Sequence, residues 1–300
     1  MARGSEKPAV FRVLFDRRYN WKTKVFTAHT VTNDEIQEVI LQLRADEGIS
    51  LAATNPANFL KDFLRSKNRN AHWPQEIAEV GYTARQSYSE GRVFDFVPFS
   101  PGQTIPFPDG FVLPPDVVIH RIETISLPSA ARALGRADEP WLTQVCVHQR
   151  VLETHFALFS NIAVVDFLHL QNSIKGVPEI DALFLMTFKT GATLQKALVT
   201  FEANRDEPIL PDQIKSQVAL MSHRTSIEAG LSDIDFIVPV AAKTERIGPQ
   251  RVIAVFEMQG IPVADGVAAY QAEAAHALPL SITQTIAYRL EPELHGISGA

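Results

Sequence analysis

The sequence predicts an α/β protein with a mainly helical N-terminal module and a C-terminal domain that mixes helices and strands. Three observations support this prediction. Residues 36–43 place apolar side chains at helical spacing, and residues 180–203 contain two strand-length apolar runs. Residues 97–128 are rich in proline and glycine, which interrupt regular elements. We therefore predict a helical module at residues 1–98, a connecting segment at 99–135 and a second domain at 136–300.

The composition narrows the class of protein. The chain has 300 residues, of which 46% are hydrophobic and 21% charged, enough for an ordinary core. Its longest apolar runs are strand-sized, far below the roughly 20 residues of a membrane helix, so we expect no membrane span. A single cysteine excludes an internal disulfide and fits the reducing cytoplasm. The net charge of −6 argues against a dedicated nucleic-acid binder, but residues 1–98 are slightly basic.

The first module begins with well-marked helices. Ile36, Val39, Ile40 and Leu43 form one face of a helix, which follows a Thr32/Asn33 cap and ends before Gly48. A second helix after Pro56, a third before a glycine turn, and a strand at 93–97 follow. Helices followed by a strand that returns past a glycine turn indicate a winged-helix-like module.

Basic side chains in this module alternate with Trp73, Tyr82 and Tyr88. This mixture suits phosphate contacts and stacking, although an ordinary solvated face over an aromatic core would show the same pattern. Arginine and glutamine also match the edges of guanine and adenine. The candidate DNA-binding residues are Lys61, Arg65, Arg69, Arg85, Gln86 and Arg92.

The second domain has an informative order of elements. Its pattern predicts a helix at 139–160, three strands at 162–170, 180–188 and 196–203, a helix at 212–222, and two strands at 234–243 and 251–259. Asp181 stands at the start of the second strand, in "PEID". Glu202 stands near the end of the third, in "VTFEAN". Adjacent strands can bring these two carboxylates to one point of a sheet.

This order of elements, with an acid on each of two neighbouring strands, resembles the PD-(D/E)xK nuclease superfamily, and within it the type II restriction endonucleases. The resemblance covers roughly residues 138–260. It implies a restriction-endonuclease-like αβββαβ core, cleavage of double-stranded DNA, Mg²⁺ as cofactor with Mn²⁺ as a substitute, and a homodimer. Magnesium suits such a site because it prefers oxygen ligands and takes few carboxylates.

The resemblance also assigns roles to residues. Asp181 and Glu202 would be the main metal ligands, the Ala203 carbonyl a third, and Glu153 an accessory acid on the preceding helix. Asp181 could instead be an ordinary acid at the start of a strand, and Glu153 an ordinary surface acid. Glu202 is harder to explain in that way, because a carboxylate at the end of an apolar strand is costly unless it is paired or bound.

One residue departs from the family pattern. The lysine expected two positions beyond the acid is replaced by Asn204, on the same strand face as Glu202. Two alternatives remain open: the Asn204 amide holds the attacking water, or Lys215 supplies the ammonium from the following helix. Gln213 would be a further polar contact.

No other sequence pattern indicates a second catalytic or metal site. His148 and His155 are seven residues apart on the predicted helix, but no further ligand completes a zinc set, so we expect them at the helix surface or at an interface. Cys146 is expected in the core. Three alternative functions stay open: a structure-specific repair or recombination nuclease, a catalytically inactive DNA-binding protein with a nuclease-like fold, and an unrelated α/β interaction protein.

Overall fold

The computed structural model describes residues 6–88, 91–176 and 178–297. These residues form a mixed α/β structure with two compact units, residues 1–110 and 111–300. No helix in the described part of the chain is long and apolar enough to cross a membrane.

The first unit combines short helices with a small antiparallel sheet in the order β3-β5-β4 and a separate β1-β2 hairpin. Its elements are α1 (Lys7–Asp16), β1 (Tyr19–Asn20), β2 (Val25–Phe26), β3 (Thr30–Thr32), α2 (Asn33–Glu47), α3 (Phe59–Leu64), α4 (Arg69–His72), α5 (Gln75–Glu79), β4 (Tyr82–Gln86) and β5 (Arg92–Pro98).

The predicted signals at both ends of α2 are present. Thr32 and Glu35 form a reciprocal capping box, and Gly48 adopts φ 70° at the C-cap, a conformation that glycine takes without steric cost. The core beneath α2 is aromatic: Phe11 contacts both Trp73 and Phe94 with centroid distances of 4.7 and 5.6 Å. Trp73 is therefore a core residue and not a stacking surface for nucleic acid, which the interleaved pattern left as an alternative.

The second unit is built on one large sheet. Its elements are β6 (Val118–Glu123), α6 (Ser129–Ala133), α7 (Glu139–His148), α8 (Val151–Leu158), β7 (Ala163–Ile174), β8 (Ile180–Thr190), β9 (Thr193–Asn204), α9 (Pro211–Ile227), β10 (Phe236–Ile247), β11 (Gln250–Met258), β12 (Ile261–Pro262), α10 (Val263–Gln271) and β13 (Ile282–Glu291). The predicted order of helix, three strands, helix and strand is present in α8 to β10.

The sheet follows the order β6-β13-β11-β10-β9-β8-β7, with β12 paired to β10. Strands β7, β8 and β9 are antiparallel to their neighbours in this series, whereas β9 and β10 are parallel and connected through α9. Strand β6 comes from the proline-rich segment in which we predicted a connection, and it pairs parallel to β13.

One predicted helix is two. The stretch at 139–160 contains α7 and α8, separated at Gln149 and Arg150, because Arg150 adopts a left-handed backbone with φ 51°. Cys146 is fully buried on α7, as predicted, and burial raises the pKa of its thiol, with Glu153 adding to the shift.

The two faces of the sheet bury different helices. Ala197, Val199 and Phe201 of β9 pack in the cluster that contains Leu142 of α7 and Leu152 of α8. Leu198, which lies between Ala197 and Val199 in the strand, packs with Val218 of α9 on the other face. Since side chains alternate along a strand, Glu202 and Asn204 lie on the α9 face.

A buried polar network fixes α8 to the sheet. His155 is fully buried; its Nδ1 lies 3.0 Å from the Tyr288 hydroxyl and its Nε2 lies 3.1 Å from Glu257 Oε2. Ser160 donates to the other oxygen of Glu257 at 3.0 Å. The expectation that His155 is a helix-surface or interface residue is therefore wrong, because α8 turns it toward β11 and β13.

This network predicts a stability effect at Glu257. Replacing Glu257 with alanine leaves His155 and Ser160 without their shared acceptor, and we expect the free energy of unfolding to fall by about 3 kcal/mol. Glu257→Gln keeps one acceptor oxygen and should lose less. Urea denaturation measures both, with Glu228→Ala as the control at roughly 0.5 kcal/mol or less, since Glu228 is an exposed acid just after α9 that pairs with Arg224. Equal losses at Glu257 and Glu228 would show that the network adds no stability.

Candidate active site

The structure brings Asp181 and Glu202 to neighbouring positions on one face of the sheet. Strands β8 and β9 are in antiparallel register up to Ala182 and Phe201, so Asp181 and Glu202 occupy the next pair. Asp181 Oδ2 accepts a hydrogen bond of 2.8 Å from the backbone N–H of Ala203. The side chain of Asp181 thus binds the backbone of β9 where the registered ladder ends.

Ala203 has a defined backbone direction. The N–H and C=O groups of a strand residue point toward the same neighbouring strand in a hydrogen-bonded antiparallel pair. Because the Ala203 N–H reaches Asp181, its carbonyl also faces β8, beyond the registered pairs. The role of this carbonyl as a metal ligand stays a prediction.

Glu202 is held by two glutamines of α9. Gln213 Nε2 donates to Oε1 and Gln217 Nε2 donates to Oε2, both at 2.6 Å. All three side chains are buried. Residues four apart lie on the same side of a helix, so one turn of α9 holds both carboxylate oxygens. Gln213 was foreseen as a polar contact, whereas the matching role of Gln217 was not.

Gln217 also connects the two acidic strands. Its Nε2 lies 2.7 Å from the backbone oxygen of Glu179, just before β8, as well as 2.6 Å from Glu202. The Glu179 side chain points elsewhere, to Ser173 at 2.7 Å and to Lys175. One amide group therefore connects the backbone just before β8 to the Glu202 carboxylate on β9.

A buried lysine stands beside Asn204. Strand β10 pairs parallel to β9 with Lys243 opposite Asn204, which places both side chains on the face that carries Glu202. Asn204 is 4% and Lys243 7% exposed, and the ammonium is 3.0 Å from Glu245 Oε2. Sequence reasoning missed Lys243, although a lysine that ends the apolar run "FIVPVAAK" is itself a signal of a polar requirement inside the fold.

Lys215 lies on a different side of α9. It falls midway between Gln213 and Gln217, about 160° around the helix from either, so it points away when they face Glu202. Its ammonium donates to the backbone oxygen of His276 at 2.8 Å. The structure therefore does not bring Lys215 to the carboxylates.

Glu153 is also apart from them. It lies on α8, which packs against the opposite face of the sheet, and its charged neighbours are Arg150 and His169. Burial raises the pKa of the Glu153 carboxyl, and these two neighbours oppose the shift. Among the described residues, no group of three or more His, Cys, Asp or Glu side chains is arranged to hold a metal ion.

The candidate DNA-binding residues of the first unit divide into exposed and buried ones. Arg69 and Gln86 are buried, and burial lowers the pKa of Arg69 while Asp109 opposes the shift. Arg85 lies 3.7 Å from Asp95. Lys61 and Arg65 are half-buried, and Arg92 is exposed. Arg69 and Gln86 therefore do not lie on an open surface, because α4 and β4 turn them inward. Lys61, Arg65, Arg85 and Arg92 stay candidates.

Comparison with known protein families, curated proteins and solved structures finds no match to this chain.

The position of Glu153 predicts a pH effect on stability. An acid whose pKa is raised by folding holds its proton more tightly in the folded state, so the penalty appears as pH rises from the unfolded pKa of about 4.3 through the folded value. Glu153→Gln should therefore match the parent below about pH 4 and be more stable at pH 7. Urea denaturation at both pH values tests this, and a Gln variant less stable at pH 7 would contradict it.

Proposed function

We propose that this chain is a Mg²⁺-dependent endonuclease of the PD-(D/E)xK type that cleaves double-stranded DNA, and that it acts as a sequence-specific type II restriction enzyme. The observation that carries the proposal is the pair of carboxylates, Asp181 and Glu202, at the ends of adjacent strands, with Glu202 oriented from α9 by two neutral amides. The two amides fix the direction of both carboxylate oxygens without adding positive charge of their own.

The donor set fits magnesium. Protein sites commonly bind Mg²⁺ through one or two carboxylates and leave the other positions to water and substrate phosphate. A carboxylate has about four lone-pair positions, and the N–H bonds from Gln213 and Gln217 use two of them. Asp181 and Glu202 would hold the ion, which would supply charge stabilisation at the scissile phosphate and activate water.

Other groups of the protein would hold the two acids in position. Gln213 and Gln217 fix the orientation of Glu202, and Asp181 is fixed by the Ala203 N–H. Asn204 and Lys243 line the same face one step further along β9 and β10. We propose that the Lys243 ammonium, and not Lys215, takes the place of the family lysine, while the Asn204 amide holds water by hydrogen bonds.

The arrangement of elements supports the same reading. A helix, three antiparallel strands, a helix and a strand parallel to the third support the proposed restriction-endonuclease-like αβββαβ core. In the first unit, a helix, a strand, further helices and a hairpin with sheet order β3-β5-β4 suit a winged helix, which we propose as the DNA-binding module. The homodimer and the cytoplasmic location stay predictions from the resemblance and the composition.

One alternative has specific support. The residue at the usual lysine position is Asn204, and Lys243 lies against Glu245, which competes for its charge. These two observations favour a nuclease-like protein that binds DNA without cutting it.

Plasmid cleavage tests the site. With Mg²⁺, the parent should produce discrete fragments, and Asp181→Asn and Glu202→Gln should each lower the rate by at least about 100-fold, because each removes a proposed metal ligand. Glu179→Gln, which changes an exposed acid two residues before Asp181, should cut like the parent. Circular dichroism checks folding. Cleavage by the Asp181 and Glu202 variants at the parental rate would refute the site, and DNA binding without any cleavage would support the inactive alternative.

Three further variants test which side chain takes the place of the family lysine. Lys243→Met should reduce cleavage by roughly 100-fold, the effect of removing one charged stabiliser of the transition state, whereas Lys215→Ala should retain activity. Cleavage by each variant is measured as an initial rate at the same Mg²⁺ and salt concentrations. Asn204→Ala should fall between them if the amide holds water. Loss of activity at Lys215 with retention at Lys243 would instead assign the role to α9.

A further inference from the structure

The β1-β2 hairpin of the first unit ends in a tight, hydrogen-bonded turn. Tyr19 pairs with Phe26 and Asn20 with Val25, and residues 21–24 form the connecting turn. The Asn20 side-chain oxygen accepts hydrogen bonds from the backbone N–H groups of Lys22 and Thr23, at 3.0 and 3.1 Å. The Asn20 carbonyl accepts a third from Lys24 at 2.7 Å. The turn is therefore fixed by one residue.

This turn exposes an aromatic side chain. Trp21 is 45% exposed although large apolar side chains are usually covered. Its ring is supported from below by Tyr19, with centroids 5.1 Å apart and planes at 89°, and its indole N–H donates to Asp16 at 2.8 Å. The indole is thus held in place while nearly half of its surface faces outward.

The same turn is positively charged. Residues 17–33 contain four basic residues and no acid. Arg17 pairs with Glu38, and Arg18 with Glu35. Lys22 and Lys24 are exposed, and within the described ranges 6–88, 91–176 and 178–297 neither makes an ion pair. The hairpin therefore presents two exposed ammonium groups within its turn.

We propose that the hairpin tip, residues 21–24, contacts the sugar-phosphate backbone of duplex DNA. Lys22 and Lys24 bind phosphates, and Trp21 packs against the sugars between them. Such contacts position a protein on DNA without reading its sequence. The inference rests on the proposed function and locates a contact surface for it that none of Lys61, Arg65, Arg69, Arg85, Gln86 and Arg92 includes.

Charge complementarity decides the partner. An exposed indole alone fits many surfaces, but two exposed lysines beside a single acid, Asp16, favour a polyanion. Because the turn is ordered by Asn20 before any ligand arrives, binding costs little ordering of the backbone. Regularly spaced phosphates can meet both lysines at once.

Equilibrium binding of the full chain to a fluorescent 30-base-pair duplex, without Mg²⁺ and at several salt concentrations, tests the proposal. Each lost phosphate contact reduces the slope of log affinity against log salt by about 0.9, so Lys22→Ala/Lys24→Ala should lower the slope by about 1.8. Trp21→Phe should weaken binding without changing the slope. Binding should also alter the tryptophan emission of the parent, and most of this change should disappear in Trp21→Phe, because Trp73 is buried and the third tryptophan, Trp141, is half-buried in the second unit.

Two controls separate the effect of the hairpin from an effect of net charge and from DNA contacts in the α3 region. Lys189→Ala removes an exposed lysine from the second unit and should leave the slope unchanged. Lys61→Ala/Lys67→Ala removes two charges from the α3 region and should lower the slope less than the hairpin pair does.

The outcomes are distinguishable. Unchanged slope and emission in the hairpin variants, with normal DNA binding by the parent, would overturn the hairpin contact and leave the nuclease proposal intact. A parent that binds no duplex would overturn both. Binding of the hairpin to vesicles rich in phosphatidylserine, or to single strands in preference to duplex, would also overturn it.

Discussion

Burial of the Glu202 carboxylate is the constraint on which the rest of the site depends. The strand that carries it is apolar and almost completely covered, and a charged group without partners would cost many kcal/mol there. Hydrogen bonds to a charged group contribute about 1.5–3 kcal/mol each, so Gln213 and Gln217 offset part of this cost. The position and rotation of α9 are therefore coupled to one carboxylate.

Neutral donors have a second consequence. An arginine or lysine at position 213 or 217 would stabilise Glu202 more strongly but would cancel its charge. Glutamine fixes the direction of both oxygens without adding positive charge, as the proposed role of Glu202 in binding a metal requires. Lys243 stands one step away on β10, on the same face of the sheet, where its ammonium can compensate charge. Orientation and charge compensation are thus assigned to different side chains.

Local patterns predicted the elements but not their long-range register. The apolar runs and the cap signals gave β8, β9, β10, α2 and α9 close to their observed bounds. The nearness of Lys243 to Asn204 depends on a parallel pairing between strands 32 residues apart, to which no local signal points. The break between α7 and α8 was missed for a related reason: Arg150 takes a left-handed backbone that only packing explains, since glycine or asparagine would be expected there.

Mixed basic and aromatic stretches are ambiguous because the same composition serves a core and a binding surface. In residues 61–92 the aromatic rings point inward and bring Arg69 with them, since burying Trp73 beside Phe63 and Phe107 stabilises the unit more than exposing it would. In residues 19–26 the turn is too short to fold back over Trp21. The informative feature there is the asparagine in "YNWKTKV", because its side chain satisfies the backbone N–H groups of the turn, so that neither lysine is needed to stabilise the turn.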